Sequence, residues 1–173
     1  IIKEEYLSQT VETATDPYYV YIGRVAKFIR ETDLVIQLFN KTKQPLIIIW
    51  DGPDYLEMRK LAKDNIIFVG RINDSKEIIK IIKKAKGLIN LSKESLGIAT
   101  IQCLLLWNPV FGFNEWWTAE LVDKQSWILI KEKKIETILK QRNIFENTKR
   151  DRKVINKNIK AKLDENPFVQ INE

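Results

Sequence analysis

The sequence predicts an α/β fold, a Rossmann-like doubly wound sheet of six parallel strands with helices on both faces. Short apolar runs alternate along the chain with segments of helical periodicity, which is typical of strands connected by helices. Many of these runs are apolar on both sides, as strands buried between two helix layers are. Glycines or polar turns follow the runs and suit a tight connection from each strand to the next helix.

Each element is assigned from its own local signal. Short apolar runs predict six strands, at 18–22, 46–50, 65–69, 87–91, 110–113 and 127–130. Apolar residues at helical spacing predict helices at 31–40, 54–62, 74–86, 97–107, 118–123 and 132–141. Gly23 ends the first strand, Pro53 suits the first turn of the second helix, and Asp74 can cap the third. Pro109 precedes the fifth strand.

The chain divides into three parts. Residues 1–16 are polar and are expected to form a lead-in or linker, and 17–145 form the Rossmann-like domain. Residues 146–173 form a basic tail in which Ile155, Ile159 and Leu163 recur at helical spacing and predict an amphipathic helix. We favour a surface helix docked on its own domain or on a missing one, with a membrane-surface or nucleic-acid role as the alternative.

Composition excludes several classes of site. The chain has no histidine, which removes Ser-His-Asp and Cys-His nucleophile systems and His-ligated metal sites. The single cysteine, Cys103, lies in an apolar helix, where we expect a core residue in a reducing compartment. The net charge of +6 favours an anionic partner without choosing among nucleotides, nucleic acid and lipid surfaces. The first residue is Ile1, so a fragment of a longer protein is expected.

The polar turn within residues 92–102 is the segment most suited to a ligand. It joins a predicted strand to a predicted helix, and it contains the carboxylate Glu94. Gly97 opens the helix, where backbone amides without helical partners can hold a phosphate. Gln102 lies one to two turns further along the helix. In a doubly wound fold, ligands bind beyond the carboxyl ends of the strands, which is where this turn is predicted to lie.

At these strand ends the chain resembles the carboxyl-terminal, donor-binding half of GT-B glycosyltransferases, across about residues 18–131. The nearest group is the retaining, nucleotide-sugar-dependent family often called glycosyl transferases group 1. The segments that carry the resemblance are 21–24 (Tyr-Ile-Gly-Arg), 48–53 (Ile-Ile-Trp-Asp-Gly-Pro), 65–71 (Asn-Ile-Ile-Phe-Val-Gly-Arg), 94–98 (Glu-Ser-Leu-Gly-Ile) and 108–111 (Asn-Pro-Val-Phe). Each is weak alone, whereas their order and spacing together are fairly specific.

The resemblance implies roles for individual residues. Arg24 and Arg30 would clamp the donor diphosphate, since cations stabilise the charge that the leaving diphosphate gains. Glu94 matches the first glutamate of the family's E-x7-E motif and would contact the donor sugar. The remaining implied donor contacts are backbone groups: the loop at Arg71 and Ile72 against the nucleobase, and the amides of Leu96, Gly97, Ile98 and Ala99 on phosphate or sugar oxygens. For Arg30 and Arg71, a plain surface charge is an equal alternative.

Two departures from the family pattern bear on catalysis. The second glutamate of the motif falls at Gln102, which keeps one acceptor for the ribose hydroxyls and loses the charge. Trp116 and Trp117 stand where the family has small residues, and they suit stacking on a ligand or packing on a neighbouring domain. Glu120 matches an acidic residue with a sugar-contact or capping role. A glycosyltransferase-like domain that has lost catalysis and acts in binding or assembly is therefore the second hypothesis.

The resemblance also implies partners. The expected enzyme is a hexosyltransferase-type glycosyltransferase whose amino-terminal, acceptor-binding domain is absent here, so the isolated domain would be inactive. It would use a nucleotide-diphosphate sugar as donor, with no metal and no other cofactor. A cytoplasmic location is expected, with peripheral contact between the basic tail and an anionic inner membrane face. No nucleic-acid partner is expected, because the tail lacks interleaved aromatic residues.

Overall fold

The computed structural model describes residues 17–92, 97–113, 127–130 and 132–164. Six parallel strands form one sheet in the order β3-β2-β1-β4-β5-β6. The strands are β1 Tyr19–Ile22, β2 Leu46–Ile49, β3 Ile66–Gly70, β4 Gly87–Asn90, β5 Val110–Phe113 and β6 Trp127–Ile130. The described helices are α1 Lys27–Arg30, α2 Thr32–Thr42, α3 Tyr55–Leu61, α4 Ser75–Lys84, α5 Ile98–Leu105, α6 Ile135–Asn147 and α7 Arg152–Asp164. The predicted α/β fold with a parallel sheet is confirmed.

Side chains alternate along each strand between two hydrophobic cores, one on each face of the sheet. On β1, Val20 packs with helices α4, α5 and α7, whereas Tyr19 and Tyr21 pack with α2, α3 and α6. On β2, Ile47 and Ile49 face the first core and the intervening isoleucine faces the second. This period of two explains why the strands read as continuously apolar, because both faces of the sheet are covered.

The basic tail helix packs on its own domain. Ile155, Ile159 and Leu163 of α7 are buried in the same core as α5. The Asn156 side-chain amide donates to the carbonyl of Leu105 at 2.5 Å, which fixes α7 against the end of α5. This is the docked surface helix that we favoured from the sequence. The apolar side of α7 therefore packs within the domain, and Lys153, Lys157 and Lys160 are exposed on the outer side.

Several element bounds differ from the sequence prediction. A short helix, α1, precedes α2, and Glu31 separates them with a φ of 52°. The boundary that we placed after residue 145 falls inside α6, which ends at Asn147. The predicted short helix at 118–123 lies outside the described residues. Across the described part of the chain, no helix is long and apolar enough to cross a membrane.

Candidate functional site

The strand order reverses between β1 and β4, and this reversal defines the candidate site. Helical connections leave β1 and β4 towards opposite faces of the sheet, so a crevice opens beyond their carboxyl ends. Arg24 follows β1, and Gly97 opens α5 after β4. Two of the sequence-predicted ligand groups therefore flank the same crevice, as expected for the carboxyl edge of a parallel sheet.

The loop after β1 holds its backbone in place and leaves the Arg24 side chain exposed. The Tyr21 hydroxyl donates to the carbonyl of Arg24 at 3.2 Å. The buried Thr32 hydroxyl accepts from the Ala26 amide and donates to the Ala26 carbonyl, both at 3.2 Å. These contacts fix the direction in which the chain leaves β1. The backbone that carries the Arg24 side chain is therefore fixed at the crevice, and an exposed guanidinium in this position suits an anion-binding role.

The loop after β2 packs closely on the loop after β1 through Gly52. A Cβ atom at this position would lie 2.2 Å from the carbonyl oxygen of Val25, so only glycine fits. The Val25 amide donates to the Asp51 carbonyl at 2.9 Å, and the Lys27 amide donates to the Asp54 carboxylate at 2.7 Å. The sequence predicted a tight turn here and missed this approach between the two loops.

A buried polar network organises the end of β4. The Asn90 side chain accepts from the Ser92 amide at 3.1 Å and from the Ser92 hydroxyl at 2.5 Å. It also donates to the buried Thr100 hydroxyl at 3.2 Å, which ties the strand to the first turn of α5. Gly97, at the N-cap of α5, has a φ of 54°, a left-handed conformation that suits glycine. The network fixes the start of α5, where free helix amides favour an anion.

Sequence reasoning did not identify Asn90 and Thr100 as part of this site. The only sequence signal was a polar residue at the end of an otherwise apolar run. The Ile98 side chain is 61% exposed beside the crevice, and Ala99 is half-buried behind it. Glu94 and Leu96, which belong to the same turn, lie outside the described residues.

The ends of β2 and β3 bring a tryptophan ring and an arginine together at the same carboxyl edge of the sheet. Trp50 leaves the strand direction with a φ of 116°, and its amide donates to the Gly70 carbonyl at 2.7 Å. The exposed Arg71 guanidinium lies 5.0 Å from the centre of the Trp50 ring, a cation–π contact. Ile72 is buried and anchors the loop. We read Trp50 from the sequence as the end of a strand, which overlooked this contact.

Gln102 lies on α5. Its exposed side chain lines a cavity of about 230 Å³ with Ser75, which begins α4 directly after the loop that carries Arg71 and Ile72. The rest of the cavity wall is apolar and comes from α4, α5 and the residue after α5: Ile78, Ile79, Ile82, Leu105 and Leu106. Gln102 thus shares a cavity with Ser75, which follows the loop that we assigned to the nucleobase.

The remaining predicted residues are distributed as follows. Arg30 ends α1, and its amide donates to the Ala26 carbonyl at 3.1 Å. Cys103 is fully buried, and burial raises the pKa of its thiol, so it is a core residue and not a nucleophile. Like Glu94 and Leu96, the predicted residues Trp116, Trp117 and Glu120 lie outside the described part of the chain. The described residues at the crevice include an exposed arginine and the start of a helix, an arrangement that favours an anion.

No protein-family model matches the chain, and no curated protein sequence matches it. Solved structures do match its fold. A glycosyltransferase from Rickettsia africae has a TM-score of 0.72 at 12% identity, over 93% of this chain and 48% of that one. HepE from Anabaena, solved in complex with UDP and glucose, has a TM-score of 0.67 at 14% identity, over 94% of this chain and 52% of HepE. The chain thus spans about half the length of each of these two glycosyltransferases.

A third structure contains a single domain only. It is the carboxyl-terminal domain of a glycosyl transferase group 1 family protein from Francisella tularensis, with a TM-score of 0.62 at 20% identity. The match covers 90% of this chain and 88% of that domain. The chain therefore has the fold of one half of a GT-B glycosyltransferase, and its similarity to a carboxyl-terminal domain agrees with the half that the sequence resembles.

Proposed function

We propose that this chain is the carboxyl-terminal, donor-binding domain of a retaining, hexosyltransferase-type glycosyltransferase. One observation carries the proposal: the crevice between β1 and β4, which Arg24 and the start of α5 flank, occurs in a fold shared with glycosyltransferases. HepE, one of the similar structures, is in complex with UDP and glucose. A nucleotide-diphosphate sugar therefore fits both the fold and the anion-binding character of the edge.

In this proposal the diphosphate lies in the crevice. Arg24 and Arg30 pair with its oxygens, and the amides at Gly97, Ile98 and Ala99 donate to phosphate or sugar oxygens. As the bond to the sugar breaks, negative charge grows on the departing diphosphate. Fixed cations and helix amides stabilise that charge without reorganising, which lowers the barrier. Because these groups supply the positive charge, the proposed site uses no metal.

The rest of the donor extends along the edge on either side of the diphosphate. The nucleobase would lie against the loop at Arg71 and Ile72, and Gln102 would accept a hydrogen bond from a ribose hydroxyl. The position of Gln102 beside Ser75, at the end of that loop, supports this order. Glu94 would contact the donor sugar, as the family resemblance implies.

The proposed enzyme needs a second domain. Its amino-terminal half would bind the acceptor and close the cleft, so this chain alone would bind nucleotide weakly and transfer nothing. Gln102 motivates an alternative in which the domain binds a nucleotide sugar without turnover. An amide in place of the expected glutamate makes a weaker hydrogen bond to ribose, because charged acceptors bind more strongly than neutral ones.

One titration tests the donor-binding proposal. UDP, UDP-glucose and other nucleotide sugars are added to the chain while backbone amide shifts are followed. We expect shifts at Arg24, Gly97–Ala99 and Gln102. Arg24→Gln should weaken binding roughly tenfold, since one charge-assisted contact to phosphate is lost. Arg59→Gln, on the exposed surface of α3, is the matched control and should leave affinity unchanged. Amides at the crevice that do not respond to any nucleotide at millimolar concentration would refute the proposal.

The ribose placement has its own test in the same assay. Gln102→Glu restores the charge that the family has at this position, so it should tighten UDP binding several-fold. Gln102→Met keeps the side-chain length, removes the acceptor and should weaken binding. If both variants bind UDP as the wild type does, Gln102 does not face the ribose.

We also propose that the outer side of α7 contacts an anionic, cytoplasmic membrane surface. Lys153, Lys157 and Lys160 are exposed on this helix, while its apolar residues are buried in the domain. The contact would therefore be electrostatic and without insertion. Binding to vesicles that contain anionic lipid should fall steeply with salt and with Lys157→Gln and Lys160→Gln together. Salt-independent binding would contradict this proposal.

A further inference from the structure

A second charged cluster lies at the opposite edge of the sheet from the proposed donor site. Tyr19 begins β1, Lys86 directly precedes β4, and Pro109 directly precedes β5. Because the strands are parallel, these residues all lie at the amino-terminal edge. With Phe145, Glu146, Thr148 and Arg150 they line a cavity of about 190 Å³, which we call the amino-edge pocket. It is not part of the crevice between β1 and β4.

Glu146 is the central carboxylate of this pocket, and three donors already engage it. Lys86 Nζ donates to one of its oxygens at 3.1 Å, and Arg142 donates to the other, also at 3.1 Å. The Tyr19 hydroxyl donates to that second oxygen as well. Burial raises the pKa of Glu146, but the hydrogen bonds from Tyr19 and Lys86 and the neighbouring cations outweigh it and hold the pKa below its usual value. Glu146 is therefore ionised at neutral pH.

The amino-edge pocket carries an excess of two positive charges. Lys86, Arg142 and Arg150 carry three positive charges near the single negative charge of Glu146. Arg150 stacks its guanidinium 4.0 Å from the centre of the Phe145 ring and donates Nη1 to the Phe145 and Thr148 carbonyls. Its Nε and Nη2 atoms are buried without a hydrogen-bond partner among the described residues. Such a group is costly to bury, and an anion is the partner that would offset the cost.

We propose that the amino-edge pocket binds a phosphate-sized oxyanion, either inorganic phosphate or the terminal phosphate group of a small monoester. The anion would accept hydrogen bonds from Arg150, whose side chain would turn within the pocket to present Nε and Nη2. Lys86 would supply the second contact, because its side chain is 34% exposed at the pocket. Bound phosphate would neutralise the excess charge and link the end of α6 to the start of β4.

Inorganic phosphate, titrated into the whole chain, is the probe. We expect amide shifts at Lys86 and across Phe145–Arg150, and we expect them to persist in Arg24→Gln, which weakens phosphate binding at the other edge only. Lys86→Met and Arg150→Met should each weaken the shifts at the amino edge roughly tenfold. Lys84→Met, on the exposed side of α4, is the matched control and should bind as the wild type does.

Two results would overturn the proposal. One is the absence of shifts at Lys86 and Phe145–Arg150 in the wild type. The other is shifts that persist unchanged in Lys86→Met and Arg150→Met. Circular dichroism establishes that each variant is folded, and if Arg150→Met unfolds, Lys86→Met alone decides, because its side chain is partly exposed. A monoester such as glycerol phosphate that binds more tightly than inorganic phosphate would identify the source of the anion.

Discussion

Both edges of the sheet carry positively charged side chains, but these are exposed at the carboxyl edge and partly buried and ion-paired at the amino edge. At the carboxyl edge, the backbone is fixed by Thr32 and Gly52, and the Arg24 and Arg71 side chains are exposed. At the amino edge, the side chains themselves form the structure, since the buried Arg142 donates to Glu146. The difference shows which charged side chains are available to a ligand and which ones the fold depends on. Exposed cations on a rigid loop can exchange water for a ligand, whereas a buried cation such as Arg142 must keep its carboxylate, because an unpaired buried charge destabilises the fold.

The largest expected effect comes from breaking the amino-edge cluster. Glu146→Ala leaves Arg142, whose side chain is only 8% exposed, without its carboxylate. An unpaired buried charge is costly, so the free energy of unfolding should fall by about 3 kcal/mol, measured by urea denaturation.

Glu136→Ala is the matched control, in the same helix and exposed. It should lower the free energy of unfolding by about 0.5 kcal/mol, mainly through the helix N-terminus. If the two variants lose the same free energy of unfolding, the Glu146 ion pairs stabilise the fold no more than an exposed carboxylate does. The proposed difference between the two edges would then be wrong.

The next effect tests whether the carboxyl edge depends on backbone fit. Gly52→Ala forces a Cβ into the Val25 carbonyl, so the two loops must separate. We expect the free energy of unfolding to fall by about 2 kcal/mol and UDP to bind more weakly. Gly23→Ala is the control, since its Cβ would lie 3.6 Å from the nearest atom, an ordinary contact. If Gly52→Ala is as stable as Gly23→Ala, the close approach of the loops does not hold the site.

Much of the fold could be predicted because its signals are local. Alternating and continuous apolar runs fixed the strands to within about one residue, and strand ends in a parallel sheet necessarily meet at one edge. That is why Arg24 and Gly97 were predicted at one site and lie at one edge. The strand at 46–50 ends one residue early, because Trp50 turns away to bond Gly70.

What could not be predicted are contacts between residues that are close in space and far apart in sequence. The contact between Tyr19 and Glu146 joins residues 127 positions apart, and that between Lys86 and Glu146 spans 60. No local pattern marks such pairs, since tyrosine, lysine and glutamate are ordinary residues at strand and helix ends. The approach of Gly52 to Val25 is of the same kind. The sequence therefore indicated the carboxyl edge through its motifs and left the amino edge unnoticed.

Lowering the pH removes the charge of Glu146 gradually, whereas Glu146→Ala removes it at once. The folded pKa of Glu146 lies below its ordinary value of 4.5, so its ionisation stabilises the fold above that pH. This contribution is lost as the pH falls from about 4.5 through the folded pKa. The difference in free energy of unfolding between wild type and Glu146→Gln should therefore narrow as the pH is lowered in that range. A difference that is constant from pH 7 to about pH 2 would mean that the charge of Glu146 is irrelevant to stability.

The smallest expected effect concerns an exposed cation at the carboxyl edge. Arg71→Gln removes the contact with the Trp50 ring, which at an exposed site should cost about 0.5 kcal/mol of unfolding free energy. Arg59→Gln, exposed on α3, is the control for loss of a surface charge. A loss as large as that of Glu146→Ala would mean that the two edges are alike, with paired cations at both. A small loss accompanied by weaker UDP binding would sharpen the contrast, because Arg71 would then serve the ligand at little cost to the fold.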